Sequence, residues 1–333
     1  MTHSAVSRRG ALQGLGGLGL AAALPAARAV PAGEGSLSFL AVGDWGREGA
    51  YHQRDVAIQM AASARELDAR FVVSVGDNFY EDGVTSVDDP AWRKSFEEIY
   101  DAPSLQVPWH VALGNHDYRG NVEAQIDYSA RSPRWRLPSR WYSFEERAPD
   151  GTRVELFVTD TTPLINFYYG DPATRKALED QRRDAPVQLA WLDEALGRST
   201  AHWKIVLGHH PVYSGWIEPG RRLSAANPYF ELRTLGGTPD LIARLDPILR
   251  RHRVPLYLNG HNHDLQHVRM GTTDFVCTGA GSKIGTFCDR GGADFCALRS
   301  GFVAVTVQRE QLRVAYRDYT GVRLDVVDIR RAA

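Results

Sequence analysis

The chain has 333 residues, 43% apolar and 24% charged, which is a globular composition with material for one large domain or two small ones. Acidic and basic residues nearly cancel at a net charge of −1, so a basic nucleic-acid-binding surface gains no support.

The first 29 residues stand apart. "SRRGALQGLGGLGLAAALPAARAV" sets a basic pair, Arg8-Arg9, before a Gly/Ala/Leu stretch and closes on Ala27-Arg28-Ala29, a small-x-small cleavage pattern. The apolar part falls short of the roughly 20 residues that span a bilayer. Its glycines keep it weakly hydrophobic, which with the twin arginine suits a Tat export signal, although Ala11 stands where such signals usually carry a bulky apolar residue. The expectation is an exported protein, periplasmic or secreted and free of the membrane once residues 1–29 are removed, with residues 30–333 as a single domain.

In chain order, apolar runs predict strands at Ser38–Val42, Phe71–Val75, Trp109–Ala112, Glu155–Thr159, Ile205–Leu207 and Leu256–Leu258. Helical periodicity falls at Gln53–Leu67, Gln188–Leu196 and Leu241–Arg251. The polar "GDPATRKALEDQRRDAP" reads as a surface loop, and from Phe275 onward the chain turns to β alternation in "FVAVTV", "LRVAY" and "RLDVVDI". Alternating strands and helices argue for an α/β protein with layered sheets. Of the three cysteines, Cys288 and Cys296 are expected to pair across the Gly-rich "DRGGADF" in an oxidising compartment, leaving Cys277 free.

Five of these strands end alike. Leu40-Ala41-Val42 leads into "GDWG", Val73-Ser74-Val75 into "GDNFY", His110-Val111-Ala112 into "LGNHD", Ile205-Val206 into "LGHHP" and Tyr257-Leu258-Asn259 into "GHNH". Glycine lets the chain turn sharply, so the next side chain points out over the sheet edge. The carboxyl ends of strands in open α/β sheets are where ligands bind. One such end is ordinary, since Asp or Asn after a strand is commonly a helix N-cap. Five together offer Asp44, Asp77, Tyr80, Asn115, His209, His261 and His263. Hard and borderline donors without a thiolate select for iron, zinc or manganese rather than copper(I). A single metal cannot use so many, whereas two metals about 3.5–4 Å apart can, and such pairs clamp both oxygens of an in-line phosphoryl displacement. One ligand must bridge, and Asp77, central in strand order, has two carboxylate oxygens with which to do so. His52, His110, His202, His252 and His267 lack such a setting and read as surface or core histidines.

Taken together, "GDWG", "GDNFYEDGV", "GNHD", "GHHPV" and "GHNHDLQ" resemble the metallophosphoesterase (calcineurin-like) signature, and within it the purple acid phosphatases of the small tartrate-resistant type. The similarity extends through "VPWHVALGNHDYRGNVEAQIDYS", "RWRLPSRWYSF" and "TGAGSK", from about residue 37 to 330. The resemblance implies a four-layer αββα sandwich of two mixed β-sheets flanked by helices, with residues 30–333 as one metallophosphoesterase domain. It implies Fe(III) held by Asp44, Asp77, Tyr80 and His263, beside a divalent Fe, Zn or Mn held by Asp77, Asn115, His209 and His261. Tyr80 would supply the phenolate that colours these proteins. His116 would contact phosphate or protonate the leaving oxygen, with Asp117 orienting it.

The implied activity is hydrolysis of small-molecule phosphomonoesters by an exported monomer with no nucleic-acid partner. Five positive charges set against Asp44, Asp77, the Tyr80 phenolate and a hydroxide leave one, suited to a phosphate anion, and the metal-bound hydroxide attacks phosphorus. Two positions depart from the family pattern. Counting without gaps, Glu218 stands where another active-site histidine is usual, and His210 replaces an aromatic beside His209. A phosphodiesterase or nucleotide phosphatase on the same dimetal site is the alternative within enzymes, iron redox side chemistry is a further family-level activity, and a non-catalytic metal- or phosphate-binding protein is the alternative outside them.

Overall fold

The first strand, Leu37–Val42, is buried along all six residues. A run apolar at every position but Ser38 needs cover on both faces, which places it centrally in a sheet. The computed structural model describes residues 35–215, 237–286, 288 and 293–331; residues 1–29, read above as an export signal, and Glu218 lie outside them.

In chain order the elements are β1 (Leu37–Val42), α1 (Gln53–Leu67), β2 (Val72–Ser74), β3 (Trp109–Val111), α2 (Val122–Asp127), β4 (Trp135–Arg136), β5 (Tyr142–Arg147) and β6 (Arg153–Val158). Then come α3 (Arg175–Leu178), α4 (Asp184–Arg198), β7 (Trp203–Leu207), α5 (Pro239–Arg244), α6 (Asp246–Arg251), β8 (Leu256–Asn259) and β9 (Leu265–Met270). The last are β10 (Thr273–Thr278), β11 (Phe295–Ala297), β12 (Gly301–Val307), β13 (Gln311–Asp318) and β14 (Arg323–Arg330).

One sheet has the order β14-β13-β12-β1-β2-β3-β4 and the other β11-β9-β10-β8-β7-β6-β5. Both are mixed. β1 to β4 run parallel while β12 joins β1 antiparallel; β6, β7, β8 and β10 run parallel between antiparallel partners. Hydrogen bonds tie the sheets together: Gly43 N–H donates to the Thr278 carbonyl (2.9 Å) and the Tyr316 hydroxyl to the Gln266 carbonyl (2.7 Å). Helix α1 buries Gln53, Val56, Ala57, Met60, Ser63 and Ala64, a helical stripe laid on β1, β12 and β13. The fold is the layered α/β sandwich that the resemblance implies.

Two expectations change. The segment read as a surface loop carries α3, a 3-10 turn at Asp180–Arg182 and the first turn of α4. Thr174 and Leu178 are buried there, and Pro186 sits in the first turn of α4, where its missing N–H costs no intrahelical bond. The helix expected over Leu241–Arg251 is two short helices meeting at Leu245, because Pro247 cannot donate to the preceding turn.

Cys288 and Cys296 form a disulfide with a Cα–Cα distance of 6.0 Å, and Cys277 is buried and free. Thiol titration in denaturant without reductant is expected to count one thiol per chain; a count of three would refute the bridge.

Candidate metal centre

All seven candidate ligands sit on loops at the carboxyl ends of strands. Asp44 follows β1, Asp77 and Tyr80 follow β2, Asn115 follows β3, His209 follows β7, and His261 and His263 follow β8. Asp44, Asp77 and His261 have φ of 59°, 49° and 67°, left-handed conformations that side chains rarely adopt without compensation. Two motif glycines leave room for the carboxylates. A Cβ on Gly114 would lie 2.3 Å from Asp77 Oδ1, and one on Gly260 would lie 2.4 Å from Asp44 Oδ2. Trp45 of "GDWG" belongs to the core: it is fully buried, edge-on to Phe79, Tyr100, Trp109 and Trp135, and its indole N–H donates to Ser74 (2.8 Å).

The side chains converge in two overlapping groups. In the first, the Tyr80 hydroxyl oxygen lies 2.8 Å from Asp44 Oδ1, 2.9 Å from Asp77 Oδ2 and 3.1 Å from His263 Nε2. In the second, Asn115 Oδ1 lies 3.2 Å from His209 Nε2 and 3.0 Å from His261 Nδ1, and His209 Nε2 is 3.3 Å from Asp77 Oδ2. Asp77 Oδ2 belongs to both. Its other oxygen, Oδ1, accepts from the His116 backbone N–H at 2.8 Å. The expectation that Asp77 would span the groups with both oxygens is therefore corrected: one oxygen faces both groups while the other is tied to the backbone.

This donor set fits cations. The Tyr80 hydroxyl has one proton but faces two carboxylate oxygens, so lone pairs meet at hydrogen-bond distance unless a positive charge lies between them. His209 Nδ1 is 3.0 Å from the Val75 carbonyl and donates to it, which directs the Nε2 lone pair at Asn115 and Asp77. Without a cation, protons fill the gap. Burial opposes charge on His209, but Asp77 and Asp44 outweigh it and push His209 up to about 9. Burial would raise Asp77 too, yet His209, His116 and His261 hold it well below the usual carboxylate range. Burial first, then Asp44 and Asp77, push the Tyr80 phenol well above its ordinary value, so its phenolate form requires a strong positive partner.

Two further clusters have other partners. His210 packs 4.4 Å from the His261 ring, but its Nδ1 meets Thr161 Oγ1 and its Nε2 the Tyr168 hydroxyl, both at 2.8 Å. It braces the second group and has no ring nitrogen left for a metal. Asp264 lies beside Cys288 and Cys296, whose sulfurs are bonded to each other.

His116 is half-buried at the rim. Its ring lies 4.5 Å from that of Tyr80, and its Nδ1 donates to the Glu81 carbonyl. Asp117 does not orient it. The Asp117 carboxylate points inward and accepts from the backbone N–H groups of Gly114 (2.8 Å) and Asn78 (3.1 Å) and from the Gln125 amide (2.8 Å). Burial and the Asp77 charge push it up to about 7 against those donors. Asp117 thus clamps the loops that carry Asp77 and Asn115, because a side chain following Asn115 turns into the protein while His116 turns out. Sequence reading passed over Arg47, Glu81 and Arg119, which surround Tyr80 and His116; each is a lone polar residue in or beside a motif, with no spacing to single it out.

A model of the calcineurin-like phosphoesterase family matches residues 37–265. Over 312 residues the chain is 38% identical to purple acid phosphatase 4 of Arabidopsis thaliana, covering 91% of this chain and 86% of that protein. It is 36% identical over 258 residues to tartrate-resistant acid phosphatase type 5 of Sus scrofa, covering 74% and 70% respectively. Among solved structures, GAP50, the anchor in the inner membrane complex of Plasmodium, superposes with a TM-score of 0.71 at 23% identity over 90% of each chain, a likeness of fold alone. Given sequence identity sustained over most of both lengths, the chain belongs to the purple acid phosphatases of the calcineurin-like phosphoesterase family.

Proposed function

We propose that this metal-dependent hydrolase is an exported acid phosphatase, acting as a monomer on small phosphomonoesters at a pair of metals. The observation that carries the reading is Asp77 Oδ2, one carboxylate oxygen shared by an oxygen-rich group with a phenol and an imidazole-rich group with an amide. Asp44, Asp77, Tyr80 and His263 would hold Fe(III), for which anionic oxygen donors are suited. Asp77, Asn115, His209 and His261 would hold a divalent Fe, Zn or Mn. When bound, the cations neutralise the phosphate ester and activate water as the nucleophile.

The protein's own groups do the rest. Donation from His116 Nδ1 to the Glu81 carbonyl fixes the ring and leaves Nε2 as the nitrogen that can pass a proton to the departing oxygen. Asp117 keeps the Asp77 and Asn115 loops in register. Export rests on the pattern of residues 1–29.

The direct test combines metal analysis of the purified protein with rates on p-nitrophenyl phosphate and bis-p-nitrophenyl phosphate. Two metals per chain and a faster monoester reaction are expected; a faster diester reaction would replace this reading with a phosphodiesterase. Asn115→Ala and His261→Ala are each expected to lower divalent occupancy more than iron, with activity down by roughly 10²-fold. Equal loss of both metals by elemental analysis would count against the division of ligands.

A further inference from the structure

We propose that Arg47 is a positioning residue that tunes the bond between Tyr80 and iron by holding a fixed positive charge over the phenolate ring. The inference rests on Tyr80 being the Fe(III) ligand. Arg47 follows "GDWG" on the loop after β1, and its guanidinium carbon lies 3.6 Å from the centroid of the Tyr80 ring. That is well inside the roughly 6 Å over which a cation acts on an aromatic face.

The side chain is buried, at 6% exposure, so little water screens the contact. Its placement is built. The Arg47 backbone N–H donates to Gln53 Oε1 (3.0 Å), and one guanidinium nitrogen pairs with Glu81, whose side chain is 70% exposed. Arg47 Nε finds no acceptor among the described residues. A buried guanidinium with an unused donor is costly unless its face has another partner, and the ring supplies one.

The consequence is electronic. In the visible transition of an iron phenolate, one electron leaves the ring and arrives at the iron. A cation over the ring stabilises that electron at its origin, which widens the gap and moves the band to shorter wavelength. The same charge makes the phenolate a weaker donor and disfavours Fe(III) relative to Fe(II), raising the reduction potential. Glu81, paired with Arg47 from the solvent side, damps both effects.

The test uses the full iron-loaded protein and reads the position of the visible band and the reduction potential of the iron. Arg47→Met removes the charge and keeps most of the bulk. Its band is expected at longer wavelength by roughly 10–20 nm, the size a desolvated cation–π contact corresponds to in the visible, and its potential lower. Arg47→Lys should return both towards wild type. Glu81→Gln, at an exposed side chain, should move the band the opposite way. A wild-type band that stays in place in Arg47→Met overturns the proposal. Where Arg47→Met fails to fold or to hold iron, an unmoved band in Glu81→Gln overturns it instead. A wild-type protein that holds iron yet shows no phenolate band overturns the assignment of Tyr80, and this inference with it.

Discussion

Replacing Tyr80 by phenylalanine is expected to erase the visible absorption of the iron-loaded protein while leaving a folded chain. The two parts of Tyr80 have separable duties. Its ring lies 4.5 Å from the His116 ring and 3.6 Å beneath Arg47, contacts that phenylalanine retains. Its oxygen supplies the polar contacts to Asp44, Asp77 and His263. Loss of one hydroxyl among partners that can turn to a metal or water costs stability on the order of 1 kcal/mol, too little to unfold a domain of this size. Charge transfer to the proposed Fe(III), in contrast, would have no donor once the oxygen is gone. Visible spectra and thermal melts of the two proteins check both halves, and an unchanged band in the variant would remove Tyr80 from the iron site.

Gly114→Ala is expected to empty the centre from behind. The added methyl would sit 2.3 Å from Asp77 Oδ1 and 2.4 Å from the Asp77 backbone nitrogen. Neither atom can step aside freely, since Oδ1 is held by the His116 N–H and the nitrogen belongs to a loop in the left-handed conformation at Asp77. The strain must displace the residue that both ligand groups share. Overpacking of this kind costs about 1–3 kcal/mol, and the expected functional loss is larger: both metals released together and activity lower by at least roughly 10²-fold. Gly170→Ala is the control, because its nearest neighbour, the Phe167 carbonyl oxygen, lies 3.5 Å away. Metal content per chain and melting temperature separate the two variants. Full occupancy of both metals in Gly114→Ala would show that the close approach at Asp77 is not required.

Much of this architecture is legible in the sequence because buried parallel strands are written as short apolar runs. Leu37–Val42 and Leu256–Asn259 have little else to be, and α1 shows its stripe from Gln53 to Ala64 without interruption. The seven candidate ligands are legible for a related reason: each falls just after a run and a glycine, a pattern that repeats five times. What depends on side-chain direction is not legible. Asp117 and His116 are neighbours, and only the turn of the backbone decides that one faces Gly114 and Gln125 while the other faces Glu81. The choice between one and two oxygens of Asp77 is likewise set by the His116 N–H, a backbone partner 39 residues away. The segment containing Thr174 and Leu178 misled through composition, since charged residues outnumber the few buried ones that anchor its turns.

The distribution of donors between the sheets bears on when the protein could acquire the metals proposed above. Asp44, Asp77, Tyr80 and Asn115, which offer oxygen, all hang from β1, β2 and β3; the three imidazoles hang from β7 and β8 of the opposite sheet. Neither half offers a complete cage. In the oxygen-bearing sheet, β1 gains its second neighbour only when β12, synthesised near the end of the chain, pairs with it. Ions captured there would act as rivets: parting the sheets at that end would mean breaking metal bonds as well as exposing apolar surface, so the loaded protein should unfold more slowly than the empty one.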